Sequence, residues 1–183
     1  MMRMDVSDHD LAEAAARGDR AAFSSLVHRH YDLIHRQATR IIGPSEAEDL
    51  TQDICLALPA KLAGFRQDAR FTTWLHRVIV NAARDRLRRH ASHSRAARGW
   101  GEVELGRRAE MTEAERANAW LQIALSRLAP SLRETVALVL GEDMTHADAA
   151  DVLGLSEGTV SWRMGEVKKA LRILAEEDGE LQI

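Results

Sequence analysis

The chain has 183 residues, 45% of them hydrophobic and 29% charged, which is enough apolar side chain for a packed core and excludes a wholly disordered chain. Its single cysteine, Cys55, excludes an internal disulfide framework and points to a reduced, cytoplasmic setting, while no apolar run of ~18 residues or signal-like N-terminus argues for membrane insertion. The net charge of −3 is unevenly spread: residues 66–98 carry nine Arg against two Asp, a balance of +7, between flanks of −3 and −7. Such a basic middle suits local contact with nucleic acid and contact with protein elsewhere.

Aromatics are few and alanine is abundant, and no alternating apolar/polar run of strand length stands out, so the expectation is all-α. Asp19 is a good N-cap for a helix whose apolar period runs Phe23, Leu26, Val27, His30, Tyr31, Ile34, Ala38 and Ile41, with Gly43-Pro44 as its stop. His28, His30 and His35 on it do not share the one-turn spacing that grips a metal, and no metal site is expected. Ser45 and Glu48 have capping-box spacing for the next helix, with Ala47, Leu50, Ile54 and Leu58 on its apolar side. Asp49, Gln52 and Asp53 form an acidic patch on the other side. A catalytic carboxylate pair needs a pocket that splits two pKa values, and no nucleophile, metal cluster or phosphate loop lies nearby, so the patch reads as a protein-docking face. Pro59 is expected to kink or end that helix.

In FTTWLHRVIVNAARDRLRR, Phe71, Trp74, Leu75, Val78, Ile79 and Ala82 recur with the period of a helix that buries one face. The opposite side carries Thr73, Arg77, Asn81, Arg84 and Arg88, a stripe roughly 28 Å long suited to a phosphate backbone. Phe65, Phe71 and Trp74 could stack on bases, but periodic aromatics on the apolar face favour core packing for the latter two. Residues 91–116 lose the apolar period, collect Gly, Ser, Arg and Ala, and read as a flexible linker, with Met111 to Arg116 beginning a helix. The stripe of Trp120, Leu121, Ala124, Leu125 and Leu128 ends before Pro130. Leu132, Val136, Val139 and Leu140 then mark a short helix closed by Gly141. Thr145 caps the next, Gly154 makes a turn, and Ser156 caps a last helix in which Val160, Met164, Val167 and Leu171 face inward. That order is a helix-turn-helix, with Ala149 and Ala150 small enough for a close crossing. An ordinary αα-hairpin shares much of this pattern.

The succession AEDLTQDICLAL, FRQDARFTTWLHRVIVNAARDRLRR, a linker, LAPSLRETVALVL and THADAADVLGLSEGTVSWRMGEVKKAL resembles the extracytoplasmic-function (group IV) sigma factors of bacterial RNA polymerase, from about Phe23 to Leu174. The resemblance implies two helical domains, residues 1–90 (region 2-like) and 117–183 (region 4-like), joined by 91–116. It implies that Asp49, Leu50, Gln52 and Asp53 dock on core polymerase. Residues 70–89 then melt and read the minus-ten element, with Arg70, Trp74, Arg77, Asn81, Arg84 and Arg88 as contacts. The recognition helix for the minus-thirty-five element would use Ser156, Thr159, Ser161, Trp162, Arg163, Glu166 and Lys169. Relatives usually carry basic residues at Ser161 and basic or His residues at Gly165 and Glu166, whereas Arg163, Lys168 and Lys169 keep to type; Glu166 could accept from a cytosine amino group. The partners implied are core RNA polymerase, promoter DNA and an anti-sigma factor, with no cofactor and no catalysis by the chain itself. Rival readings are a sigma-like decoy that occupies a sigma regulator and a conventional helix-turn-helix repressor, with an enzyme ranked last for want of a site.

Overall fold

Asp19 accepts hydrogen bonds from the amides of Ala21 and Ala22 at 2.8 and 3.1 Å and so starts the helix expected there, α2 (Arg20–Ile42). The computed structural model describes residues 6–66, 68–93 and 113–177, and its regular elements there are all helices. Gly43, at φ +92°, turns the chain in one residue, and α3 (Pro44–Leu62) runs back along α2. That backbone angle strains any residue with a Cβ.

The expected start of α3 fails, and of the two outcomes expected at Pro59, a kink or an end, the end does not occur. The helix begins at Pro44, whose missing N–H would be unbonded in a first turn anyway, and no side chain caps it. Glu48 accepts instead from the Tyr31 hydroxyl at 3.1 Å and from Gln52 at 2.9 Å. Nor does Pro59 end the helix, which continues to Leu62. An internal proline costs about 3 kcal/mol, but burying Leu58 and Leu62 contributes about 1.5–3 kcal/mol for each leucine. Tertiary packing therefore outweighs the proline.

A helix with no counterpart in the sequence reading, α1 (Asp8–Ala16), precedes α2. Ser7 caps it by accepting from the Asp10 amide at 3.2 Å, and Leu11, Ala12 and Ala15 face inward. Asp8 ties it to α2 through Arg29 at 2.6 Å and His30 at 2.8 Å. His30 is thus buried against a carboxylate and the Phe71 ring. α4 (Phe71–His93) closes this group against α2 and α3, burying Phe71, Leu75, Ile79, Val80 and Ala83.

The second group comprises α5 (Glu113–Arg127), α6 (Pro130–Val139), α7 (His146–Leu153) and α8 (Glu157–Glu177). Residues 94–112, most of the expected linker, lie outside the described residues. Thr145 caps α7 by accepting from the Asp148 amide at 3.1 Å, Gly154 takes the left-handed conformation at φ +69°, and Ser156 accepts from the Thr159 amide at 3.2 Å. Each of these follows the expected helix-turn-helix chemistry. Val136, Leu128, Met164 and Val167 make a small core between α6 and α8.

The main departure is at α6. Leu140, expected inside, is 64% exposed, while Arg133, Glu134, Ala137 and Leu138 are buried. Ala137 and Leu138, with Ala149, Ala150, Val152, Leu153 and Val160, join the large core built by α1–α4. α6 rests on α2 and α7 on α4. A helix between two neighbours buries more than one face, so a single apolar stripe is not its pattern.

His76 is buried and pairs through Nδ1 with Oε1 of the fully buried Gln37 at 2.6 Å. Burial pulls its imidazole below the usual value, opposed by Glu142 and reinforced by Arg36 and His30. The folded state therefore binds this proton less readily than the unfolded chain. Its stability is complete above the unfolded value of about 6.5 and erodes as pH falls through that value toward the lower folded one. His76→Gln should flatten the melting temperature of the protein between about pH 7 and pH 5 relative to the parent; an unchanged profile would place the acid sensitivity elsewhere.

Candidate nucleic-acid interface

The stripe on α4 is present, but it is not a free solvated face. Asn81 and Arg70 are exposed, and Arg88 is exposed and, among the described residues, paired with Asp85 one turn back. Arg77 is exposed at the helix surface yet donates to the Asp151 carbonyl at 2.6 Å. Arg84 is half-buried and grips Glu134 with two nitrogens, Nε to Oε1 at 3.0 Å and Nη2 to Oε2 at 2.7 Å. That hydrogen-bonded pair holds the Arg84 guanidinium above its ordinary value, against the opposing effect of burial. The helix-turn-helix group thus covers the middle of the stripe and leaves Asn81 and Arg88 open.

The periodicity places both Phe71 and Trp74 on the buried face, and the structure divides them. Phe71 is 2% exposed, whereas Trp74 is only half-buried, and the two rings meet Phe65 at centroid distances of 5.6 and 5.2 Å. Trp74 is therefore partly open to solvent while it packs in a cluster with Phe65 and Phe71. One residue can then both pack and meet a base.

On α3, Asp49, Gln52 and Asp53 are exposed, but Leu50 is 2% exposed and sits in the core with Ile54 and Leu58. Leu50 accordingly supports this acidic face from beneath and is not part of its surface; the helical period places it one residue round from Asp49, on the buried side. The carboxylates are not isolated. Arg86, on the side of α4 away from the stripe, reaches Glu46 at 2.8 Å, Asp53 at 3.2 Å and Asp49 at 3.4 Å, and His90 meets Glu46 at 3.0 Å. Sequence reading passed over Arg86, although the spacing of residues 46, 49 and 53 signals three carboxylates on one face within reach of one cation.

The recognition helix α8 presents Ser161, Trp162, Lys168 and Lys169 to solvent, with Trp162 64% exposed and Glu166 partly so. Arg163 turns away from that surface: its Nη1 donates to the Ser131 carbonyl at 3.2 Å and lies 3.4 Å from the Thr135 hydroxyl, binding α8 to α6. Ser156 spends its hydroxyl on the cap and on Thr159, 2.8 Å away. A Cβ at Gly165 would meet nothing within 4 Å, so packing does not require glycine there. Among the described residues no group of three or more metal-ligating side chains converges, and no helix is long and apolar enough to cross a membrane.

Comparison with known proteins agrees with this layout. The Sigma-70 region 2 profile matches residues 26–93 and the Sigma-70 region 4 profile residues 124–173. The chain is 37% identical over 92% of its length to the ECF RNA polymerase sigma factor SigM of Mycobacterium tuberculosis, covering 85% of that protein. It is 32% identical to the RNA polymerase sigma factor CnrH of Cupriavidus metallidurans, covering 98% of this chain and 100% of that one. The solved structure of CnrH with the cytosolic domain of CnrY superposes with a TM-score of 0.67 at 30% identity, over 93% of this chain and 98% of CnrH. RpoE of Bartonella quintana, solved with the anti-sigma factor NepR, shares the fold with a TM-score of 0.69 at 20% identity, over 84% of this chain and 96% of that one. With both regions in order and a relative of this identity aligned across nearly the whole length, the chain belongs to the extracytoplasmic-function sigma factors, initiation factors of bacterial RNA polymerase.

Proposed function

We propose that this chain is a group IV sigma factor whose parts divide the labour by residue range. Residues 1–90 dock on core polymerase through Asp49, Gln52 and Asp53, and read the melted minus-ten element through Trp74, Asn81, Arg88 and, once uncovered, Arg77 and Arg84. Residues 117–183 read the minus-thirty-five element through Ser161, Trp162, Glu166 and Lys169, and residues 91–116 link the two. The observation that carries this reading is the placement of the acidic α3 face and the α4 stripe on different sides of one packed body, which lets polymerase and DNA be held at once. Nucleotidyl transfer belongs to the polymerase; the chain contributes binding energy to unstacked bases and needs no cofactor. It works in the cytoplasm, and an anti-sigma factor is the regulator that the family implies, with CnrH held by CnrY as a parallel.

The test is core-polymerase binding by the Asp49→Ala, Asp53→Ala double variant. Both carboxylates are well exposed, 74% and 61%, so losing their contacts to Arg86 should cost at most ~1 kcal/mol of stability. Complex formation on gel filtration should weaken while helicity is kept, and an undiminished complex removes the docking role. The turning of Arg163 toward α6, beside Gly165 and Glu166, favours a second reading in which the chain is a decoy for a sigma regulator. Transcription in vitro with core polymerase separates the two, since a decoy yields no transcript.

A further inference from the structure

Three acidic side chains of α3 meet one guanidinium of α4. Glu46, Asp49 and Asp53 stand at i, i+3 and i+7 and so share a face of α3, where like charges one turn apart repel one another. Arg86 divides its nitrogens among them: Nε donates to Glu46 Oε2 at 2.8 Å, Nη1 to Asp53 Oδ2 at 3.2 Å and Nη2 to Asp49 Oδ2 at 3.4 Å. His90 Nδ1 lies 3.0 Å from the other Glu46 oxygen. Arg86 keeps only 17% of its side-chain surface and Glu46 29%, whereas Asp53 keeps 61% and Asp49 74%. The fork is thus anchored inward on Glu46, and it uses only Oδ2 of each aspartate, so Oδ1 of Asp49 and of Asp53 takes no part in it. The hydrogen bond to Glu46 holds Arg86 above its ordinary value against the effect of burial, with Asp53 and Asp49 adding to it. Two positions from both Arg84 and Arg88, Arg86 points to the opposite side of α4 and has no place in the strand-binding stripe.

We infer that Arg86 is a positioning residue for polymerase docking: its fork fixes Asp49 and Asp53 relative to each other and leaves one oxygen of each to a basic partner surface. This rests on the reading of the α3 face as the docking surface. Two opposing effects meet at Arg86. Its charge makes the face less negative, which weakens long-range steering of a basic partner, and its hydrogen bonds immobilise two side chains that would otherwise be ordered only on binding. A charge at an exposed rim changes chiefly the association rate and is screened by salt. Ordering a side chain at an interface is worth several-fold in affinity, and here there are two. Positioning therefore outweighs the lost charge. Lysine is no substitute, because its single ammonium lacks the planar fork that reaches three carboxylates at once.

The experiment measures association and dissociation rates of core polymerase on the immobilised full chain, at low and high salt. It compares the parent with Arg86→Gln, with the Asp49→Ala, Asp53→Ala double variant, and with the triple variant that combines them. Arg86→Gln should raise the dissociation rate about tenfold, while association stays as fast as the parent's or becomes faster at low salt. The triple variant should bind no worse than the double, because Arg86 acts through those two carboxylates. Arg86→Lys should also dissociate faster than the parent, although it keeps the charge. Parental or tighter binding by Arg86→Gln, with weak binding by the double variant, overturns the positioning role and leaves the docking reading in place. Parental binding by the double variant removes the docking reading and this role with it. A triple variant weaker than the double by the full factor of Arg86→Gln puts the effect of Arg86 outside the two aspartates and overturns the inference. If Arg86→Gln loses its helicity by circular dichroism, Arg86→Lys decides, since a parental dissociation rate there shows that no fork is needed.

Discussion

Phe71→Ala should remove about 3–5 kcal/mol of stability and lower the melting temperature by roughly 10 °C, whereas Trp74→Ala should cost clearly less stability and more promoter binding. The distinction follows from burial. Phe71 is 2% exposed and packs among Phe65, Trp74 and His30, so truncation leaves a cavity in the interior of the first domain. Trp74 packs against Phe65 and Phe71 but is only half-buried, so part of its cavity fills with solvent. Its exposed part is what a base would meet, and base–aromatic stacking is worth about 1–3 kcal/mol per base. Thermal melts followed by circular dichroism, with holoenzyme binding to a forked promoter fragment, give both quantities. Equal stability losses in the two variants, with promoter affinity intact in Trp74→Ala, would assign both rings to the core alone.

Arg88→Ala should lower the salt slope of single-strand binding by ~0.7, the value for one phosphate contact, and leave stability unchanged. Arg88 is 78% exposed and, among the described residues, pairs with its neighbour Asp85 in an exposed contact worth little to stability. Arg84→Ala has a mixed outcome. It removes one phosphate contact, but it also strips the buried Glu134 carboxylate of its bidentate partner, a loss of about 1–3 kcal/mol unless the helix-turn-helix group lifts away and lets Glu134 hydrate. Its salt slope should fall as for Arg88→Ala while its affinity falls less, because the strand no longer competes with Glu134. Binding to a forked promoter fragment over a salt series is the measurement. A parental slope in Arg88→Ala would reduce the exposed end of the stripe to a solvated face.

What could be read from the chain by itself was chiefly of the kind in which a residue acts on its immediate neighbours, although the Ser7 cap of α1 was missed and the Ser45 cap of α3 was not found. Asp19, Thr145 and Ser156 cap helices because a short side-chain oxygen two or three residues from an unpaired amide needs no tertiary partner. Gly43 and Gly154 turn the chain because only glycine accepts their backbone angles cheaply. Phe71, Leu75 and Ile79 of α4 are legible because they share one helical face, and the family's two regions follow in order along the residues themselves.

The tertiary structure decided whatever depended on surfaces far apart in sequence. The continuation of α3 through Pro59 rests on leucines that gain their burial only when α2 is in place. α6 conceals its second buried face because Ala137 and Leu138 pack onto another domain, and a helix between two neighbours loses the single stripe that identifies an amphipathic one. Leu50 falls out of the docking face by one step of the helical period, and Arg86 enters its support from another helix. Charge is the least local of these properties. Arg77 and Arg84 read from sequence as part of an open stripe for phosphate, and the fold places the Asp151 carbonyl on the first and Glu134 on the second, because a guanidinium takes whichever oxygens the chain brings within about 3 Å.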